Sequence, residues 1–252
     1  MVHFVGAGSG APDLITLRGK NLIENADVII YAGSLVNPEL LNYAKDGCEI
    51  YDSSRLSLDE IINIIVSAEG DTKTTVRLHT GDPSLYGAVR EQMKRLDGLN
   101  IEYDVCPGVS SMCGAASSLK AEYTVPSVSQ SVIITRMAGR TPVPERESIE
   151  SFASHGATMV IFLSAGMTQE LSERLIKGGY PPKTPAAIVY KATWEDELVL
   201  RCTVGTLHET AEKHGITKTA LITVGGFLGN EGESSKLYDA SFETEYRKPC
   251  AK

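Results

Sequence analysis

The stretch Thr75-Val76-Arg77-Leu78-His79-Thr80-Gly81-Asp82-Pro83 decides the fold of this chain. Its first six residues have the composition of a buried strand, and the strand stops at a Gly-Asp-Pro turn. A run with helical periodicity follows from 84 to 96. A strand that ends in a rigid turn before a helix indicates a parallel α/β sheet. Such sheets bind small ligands at the carboxyl edge of their strands.

Strand-like and helix-like segments alternate through the first half of the chain. This alternation predicts a mostly parallel sheet with helices on both faces. A capping box of Ser57 and Glu60 is predicted at the start of one helix. The predicted strands are 2–6, 27–31, 48–52, 74–79 and 101–105, and the predicted helices are 15–25, 38–45, 57–68, 84–96 and 110–119.

The second half has a different pattern, which predicts a mixed sheet with helices. Thr193-Trp194-Glu195-Asp196 is predicted to be the turn of a hairpin. Because periodicity is lost between 115 and 127, we expect two α/β domains, at residues 1–118 and 119–252. The predicted strands are 128–134, 158–163, 186–191, 197–204 and 219–224, and the predicted helices are 168–177 and 206–214.

Composition argues against several classes of protein. The chain has 252 residues, 42% of them hydrophobic, and no apolar run approaches the length of a membrane span. The net charge of −8 disfavours a nucleic-acid partner. The chain begins in a predicted strand without a signal peptide, so we expect a cytoplasmic protein. The five cysteines are widely spaced without a C-x-x-C, which predicts buried or incidental thiols and no metal site.

Three turns of small residues are predicted at the same sheet edge. The first, Gly6–Gly10, fits the dinucleotide pattern G-x-G-x-x-[GA], but Pro12 follows closely and no carboxylate follows the strand that ends at Tyr31. The second is the Gly-Asp-Pro turn, where Asp82 either caps a helix or faces a ligand. The third is Pro107-Gly108-Val109-Ser110-Ser111. Together they predict a pocket that holds its ligand mainly through the backbone.

The ordered set of motifs resembles the tetrapyrrole (corrin/porphyrin) methyltransferases over nearly the whole chain. The resemblance rests on Val5-Gly6-Ala7-Gly8-Ser9-Gly10, Gly81-Asp82-Pro83, Pro107-Gly108-Val109-Ser110-Ser111, Phe162-Leu163 with Met167, and Thr223-Val224-Gly225. Three further motifs are most similar to the members that methylate C11 of precorrin-4: Tyr31-Ala32-Gly33-Ser34-Leu35-Val36, Tyr51-Asp52-Ser53 and Gly139-Arg140-Thr141-Pro142.

Three departures from the family pattern bear on the substrate and the cofactor turn. The uroporphyrinogen methyltransferases have Asp where Ala32 stands, and they have a Lys after the next strand that this chain lacks. Uroporphyrinogen is therefore a less favoured substrate. The family usually has Pro where Ser9 stands, and backbone contacts would survive that change.

The resemblance implies an S-adenosylmethionine-dependent C-methyltransferase that acts on precorrin-4 or cobalt-precorrin-4 at C11 in cobalamin (tetrapyrrole, porphyrin) biosynthesis. It implies a homodimer with the active site in the cleft between two α/β domains, and S-adenosylhomocysteine as product. The cofactor contacts that it implies are Ser9, Thr80, Gly81, Asp82, Leu85, Ser110, Ser111, Phe162, Met167, Ala192, Ala220 and Leu221.

A tetrapyrrole carries several carboxylates, so its site requires cations. Our candidates for substrate binding are Arg55, Arg136, Arg140 and Lys191. His79, next to the Gly-Asp-Pro turn, is expected to be a buried histidine. Methyl transfer from a sulfonium requires in-line approach of a carbon nucleophile, so positioning is the expected contribution of the protein. The motifs identify no general base and no catalytic residue.

Other functions remain open. The same fold could serve another precorrin carbon, uroporphyrinogen III, the diphthamide precursor of a protein, or a ribosomal RNA ribose. From different classes, the chain could be a dinucleotide-binding oxidoreductase or a binding module without turnover.

Overall fold

The computed structural model describes residues 1–229, 232–235, 239 and 241–248. They form two compact units. The first unit consists of Met1–Ser118 and Lys191–Glu197, and the second of Leu119–Tyr190 and the described residues from Leu198 onward. The segment Lys191–Glu197 thus groups with the first unit, whereas a single division after residue 118 would assign it to the second.

The first unit is built on a sheet of five strands that all run parallel. The strands are β1 (Val2–Gly6), β2 (Val28–Tyr31), β3 (Glu49–Asp52), β4 (Thr75–His79) and β5 (Tyr103–Cys106). Their order across the sheet is β3-β2-β4-β1-β5. The helices are α1 (Leu17–Asn25), α2 (Leu58–Gly70), α3 (Arg90–Gly98) and α4 (Ser111–Leu119).

Both faces of this sheet are covered by apolar side chains and helices, because alternate residues of a strand point in opposite directions. Val5 belongs to a buried cluster that includes Ile23 of α1. Phe4 belongs to a cluster on the other face, with Ile65 of α2 and Leu96 of α3. The parallel sheet with helices on both faces is confirmed, and so is the capping box at the start of α2.

Two predicted helices of the first unit differ from the structure. The segment predicted as a helix at 38–45 is a 3₁₀ helix, Pro38–Tyr43, and the backbone is already extended at Ala44. The helix predicted to begin at 84 begins only at Arg90, because Tyr86 and Ala88 have φ of 56° and 49°. These values lie outside the right-handed helical region. Asp82 therefore does not cap this helix.

The second unit contains a mixed sheet of five strands, as predicted. The strands are β6 (Val132–Arg136), β7 (Thr158–Phe162), β8 (Pro185–Tyr190), β9 (Leu198–Thr203) and β10 (Ala220–Val224), in the order β6-β7-β10-β8-β9. Only β6 and β7 pair in parallel, and β8 and β9 form the predicted antiparallel hairpin. The helices are α5 (Ile149–Ala153), α6 (Thr168–Lys177) and α7 (Leu207–Lys213).

The core of the second unit lies between this sheet and its helices. Met159 and Ile161 of β7 are fully buried in one cluster with Leu171 and Leu175 of α6. The short helix α5 was not predicted, although Ser148 caps it by accepting a hydrogen bond from the Ser151 N–H. Its five residues give too little periodicity to be read from sequence.

The described cysteines are free thiols. Cys106 is buried, Cys48 and Cys202 are partly buried, and Cys113 is exposed, while Cys250 lies outside the described residues. In the described part of the chain, no helix is long and apolar enough to cross a membrane.

Candidate functional site

The three predicted turns meet at one edge of the first sheet, because the strands that precede them, β4, β1 and β5, are neighbours. The Gly81 N–H donates to the carbonyl oxygen of Gly8 at 3.0 Å, and the Gly8 N–H donates back to Gly81 at 3.3 Å. The Gly108 N–H donates to Oδ2 of Asp82 at 2.9 Å. The turns therefore form one hydrogen-bonded unit at this edge of the sheet.

Glycine is required where these turns touch. A Cβ on Gly6 would lie 2.6 Å from both the Cα of Gly108 and the carbonyl oxygen of Gly81. Both are backbone atoms, so no side-chain rotation relieves the overlap. Gly81 also has φ of 62°, in the left-handed region that favours glycine.

The glycine turn after β1 does not form a dinucleotide site. The chain continues into a 3₁₀ helix, Pro12–Leu14, and α1 begins only at Leu17. The turn therefore does not open directly into a helix, and no helix N-terminus is available there to bind a pyrophosphate. A Cβ on Gly10 would overlap the ring of Trp194 and lie 2.7 Å from the carbonyl oxygen of Ala192. The space beside the turn is filled by the chain itself.

Ser9 is held by the segment Lys191–Glu197, which belongs to the same unit. Its hydroxyl lies 3.1 Å from Oγ1 of Thr193, which also accepts a hydrogen bond from the Ala11 N–H at 3.0 Å. Glu197 Oε2 in turn accepts the Thr193 N–H at 2.6 Å. Sequence reasoning treated this segment as a hairpin turn and missed its role. The chain's single tryptophan, placed inside a predicted turn, was the available signal.

The Asp82 carboxylate is engaged within the turns. One oxygen accepts hydrogen bonds from the main-chain N–H and the hydroxyl of Ser84, and the other accepts the Gly108 N–H. Partial burial works to raise the pKa of Asp82, but these hydrogen bonds outweigh it and hold the pKa below its usual value. The carboxylate thus stays charged at neutral pH and ties two turns together.

Two polar atoms beside the Gly-Asp-Pro turn are buried without a hydrogen-bond partner in the described part of the chain. They are Oγ1 of Thr80 and Nε2 of His79. His79 is buried, as predicted. Burial and the charge of Arg77 lower the pKa of His79 to about 3, although a hydrogen bond with the Gly87 main chain opposes the shift. The imidazole is therefore neutral at physiological pH. A buried hydroxyl without a partner suggests a ligand contact at Thr80.

The other predicted cofactor residues of the first unit differ in exposure. Ser110 is buried, and its hydroxyl accepts the Met112 N–H at 3.4 Å. Ser111 begins α4 and is partly buried, as is Leu85. Ala192 is buried.

The predicted cofactor residues of the second unit lie at the ends of two strands. Phe162 ends β7, and Ala220 and Leu221 begin β10. Next to them, Leu163 and Thr219 have φ of 51° and 57°, which is strained for residues other than glycine. Strain of this kind clusters at functional sites, so it is a structural signal that the sequence did not give.

Met167 is also in the second unit, and it is partly buried against the core of that unit. It therefore has a packing role, and part of its surface remains exposed.

The four candidate cations have different environments. Arg136 donates hydrogen bonds to the carbonyl oxygens of Met137, Thr141 and Pro142, so its guanidinium holds the loop that carries Arg140. Arg140 and Arg55 are exposed, and no described residue forms a hydrogen bond or ion pair with either side chain. Lys191 pairs with Asp196 and lies 5.4 Å from the centre of the Trp194 ring.

Comparison with known proteins adds three findings. The family model for Tetrapyrrole (Corrin/Porphyrin) Methylases matches residues 1–208. A cobalt-precorrin-4 C(11)-methyltransferase of Methanocaldococcus jannaschii is 53% identical over 98% of this chain and 96% of its own length. A precorrin-4 C(11)-methyltransferase of Rhodococcus erythropolis is 44% identical over 96% of this chain and 98% of its own length.

A solved structure also matches the fold of this chain. The crystal structure of a cobalt precorrin-4 methyltransferase, a cobalamin biosynthetic enzyme, matches with a TM-score of 0.89 and 41% sequence identity. The match covers 90% of this chain and 95% of that one. The predicted α/β fold with one parallel and one mixed sheet is confirmed.

Proposed function

Because this chain belongs to the tetrapyrrole (corrin/porphyrin) methylase family, as its motifs predicted, we propose that it methylates C11 of precorrin-4 or cobalt-precorrin-4 in cobalamin biosynthesis. The relatives of 53% and 44% identity, both C(11)-methyltransferases by name, match nearly the full chain and support this choice over other members of the family. The observation that carries the proposal is the set of three turns joined at one sheet edge by backbone hydrogen bonds and by the Asp82 carboxylate.

We propose that the methyl donor is S-adenosylmethionine, which supplies a methyl group on a positively charged sulfur. The donor has hydroxyl, amine and carboxylate groups, and the unpartnered hydroxyl of Thr80 is suited to such a group. On the first unit the proposed contacts are Ser9, Thr80, Gly81, Asp82, Leu85, Ser110, Ser111 and Ala192. On the second unit they are Phe162, Met167, Ala220 and Leu221.

The main contribution of the protein to the reaction is positioning. The turns after β1, β4 and β5 are fixed by mutual hydrogen bonds and by glycine contacts, so they have little freedom to lose when a ligand binds. Asp82 holds two of these turns together, and we assign it this role in preference to proton transfer. The substrate supplies the carbon nucleophile, and correct alignment of reactants is worth several kcal/mol.

The carboxylates of the substrate require cations, and the exposed guanidiniums of Arg140 and Arg55 suit that role best. Arg136 contributes by holding the loop of Arg140, because three of its guanidinium N–H groups donate to carbonyl oxygens there. Lys191 is paired with Asp196, so it would have to exchange that partner for a substrate carboxylate.

We also propose a homodimer, which the family resemblance implies, and a location in the cytoplasm. Light scattering coupled to gel filtration measures the mass of the particle, and a monomer would remove the dimer from the proposal. Fractionation of the source cells tests the location.

Ligand-induced thermal shift tests the cofactor class. S-adenosylhomocysteine should raise the unfolding midpoint, because a ligand that binds only the folded state stabilises it. NAD should leave the midpoint unchanged, since the ring of Trp194 fills the space beside the glycine turn. A shift with NAD and none with S-adenosylhomocysteine would refute the proposed cofactor. Turnover of precorrin-4, with uroporphyrinogen III as comparison, then tests the substrate.

A further inference from the structure

A charged side chain is buried in the first unit beneath the loop that follows the Gly-Asp-Pro turn. Arg77 lies on β4 and is 5% exposed. Its Nε donates to Oε1 of Gln92 at 3.0 Å, and its Nη1 donates to the carbonyl oxygen of Ile30 at 3.0 Å. No carboxylate among the described residues pairs with it. Burial lowers the pKa of Arg77 to about 10, so the guanidinium is still charged at neutral pH.

The Gln92 side chain links this buried cation to the loop. Its amide accepts from Arg77 through Oε1 and donates through Nε2 to the carbonyl oxygen of Ala88 at 2.9 Å. His79, two residues after Arg77 on the same face of β4, interacts with the main chain of Gly87. The Ala88 carbonyl is thus tethered to Gln92 of α3, which Arg77 holds from the sheet, and His79 of the sheet contacts the neighbouring Gly87.

The tethered segment is strained. Tyr86 and Ala88 both have φ in the left-handed region, which is unfavourable for residues other than glycine. Between them, a Cβ on Gly87 would overlap the carbonyl oxygen of Pro83, so the loop closes tightly on itself. Backbone strain persists only where surrounding contacts hold it, and the hydrogen bond from Gln92 to the Ala88 carbonyl is one such contact.

We propose that Gln92, held by Arg77, is a positioning residue for ligand binding. By fixing the Ala88 carbonyl it sets the course of the loop, and with it the place of Leu85 beside the Gly-Asp-Pro turn. This inference rests on the proposed function, in which Leu85 contacts the cofactor. An apolar core would fill the same space at lower cost, because burying a charge without a counterion is expensive. The buried pair of Arg77 and Gln92 is therefore explained by its role in holding the Ala88 carbonyl.

Gln92→Glu separates positioning from folding. The new carboxylate gives Arg77 the counterion that it lacks, so the thermal midpoint should hold or rise. The same carboxylate has no N–H to donate, and one oxygen would face the Ala88 carbonyl at the former hydrogen-bond distance. We expect KM for S-adenosylmethionine to rise about tenfold, with kcat within about twofold. We also expect faster amide hydrogen exchange in the peptide that spans 83–89.

Gln130→Glu is the matched control. Gln130 lies in the second unit, and its Nε2 likewise donates to a main-chain carbonyl, that of Thr124, at 2.9 Å. The same loss of a donor there should leave KM for the cofactor and exchange at 83–89 unchanged.

The outcomes separate this inference from the proposed function. Unchanged exchange at 83–89 in Gln92→Glu would overturn the positioning role whether or not the protein binds the cofactor. A fall in thermal midpoint that accounts for the weaker binding would also overturn it, because the residue would then be only structural. If the wild type bound no S-adenosylhomocysteine, the proposed function would fail, and hydrogen exchange would still decide whether Gln92 holds the loop.

Discussion

Replacing Thr80 with Val should make the protein more stable and weaken cofactor binding at the same time. Oγ1 of Thr80 is buried and has no partner within the described part of the chain. A buried hydroxyl without a hydrogen bond costs about 1–3 kcal/mol in protein mutational data. Val keeps the shape and removes the hydroxyl, so the free energy of unfolding should rise by about 1 kcal/mol. For a chain of this size that corresponds to about 2–4 °C in Tm.

The weaker cofactor binding follows from the loss of the same hydroxyl. If it bonds to the cofactor, its removal forfeits about 1 kcal/mol of binding free energy, which is about fivefold in Kd for S-adenosylhomocysteine. Titration calorimetry measures Kd, and differential scanning calorimetry without ligand measures Tm. A higher Tm with an unchanged Kd would refute the assignment of Thr80 to the cofactor.

Thr223→Val is the matched control for this experiment. Thr223 lies on β10, is fully buried, and also has an Oγ1 without a partner among the described residues. It is not among the proposed cofactor contacts. Its replacement should raise Tm by a similar amount and leave Kd unchanged. If both variants weakened binding equally, the effect would come from a general change in the protein and not from the hydroxyl of Thr80.

Three further predictions concern the turns and the cations. Gly108→Ala should lower the free energy of unfolding by several kcal/mol and abolish cofactor binding, because the added Cβ would lie 2.7 Å from the Gly6 Cα. Chemical denaturation measures the stability, and calorimetry measures the binding. Asp82 has a lowered pKa, so its contribution to stability is present above the usual carboxyl pKa of about 4 and is lost as pH falls through the lower folded value. Asp82→Asn should therefore lower Tm at neutral pH and flatten the acid side of the Tm profile, whereas Asp46→Asn at an exposed carboxylate should not. Arg140→Ala should raise KM for the tetrapyrrole about threefold to tenfold and leave Kd for S-adenosylhomocysteine unchanged, with Arg146→Ala from the same loop as control.

The fold could be predicted from the sequence where a long segment has a single hydrophobic periodicity. The five parallel strands and the helix α2 with its capping box fall where alternation and capping predict them. The helix expected from 84 was displaced to Arg90, because the tethers to Ala88 and Gly87 hold the loop in a conformation that local propensity disfavours. Gln92 is itself held by Arg77 on β4, which lies outside the window of neighbouring residues that sets local propensity.

The candidate site was readable only in part for the same reason. The glycine turns carry their own signal, since close backbone approach excludes a Cβ at Gly6. The residues that hold those turns carry no such signal, because Thr193 and Glu197 are far from Ser9 along the chain and come near it only after folding. Arg136 is predicted to bind substrate, and the sequence did not show that three of its N–H groups donate to the carbonyl oxygens that follow it. Which arginine stays exposed depends on loop geometry.

The position of the transferred methyl group tests the central claim most directly. The protein is incubated with isotope-labelled S-adenosylmethionine and with precorrin-4 or cobalt-precorrin-4, and the product is examined by mass spectrometry and NMR. We predict one labelled methyl group, attached at C11, with at least one of the two substrates. A label at another carbon, or no labelled product from either substrate while uroporphyrinogen III is methylated, would contradict the proposed function.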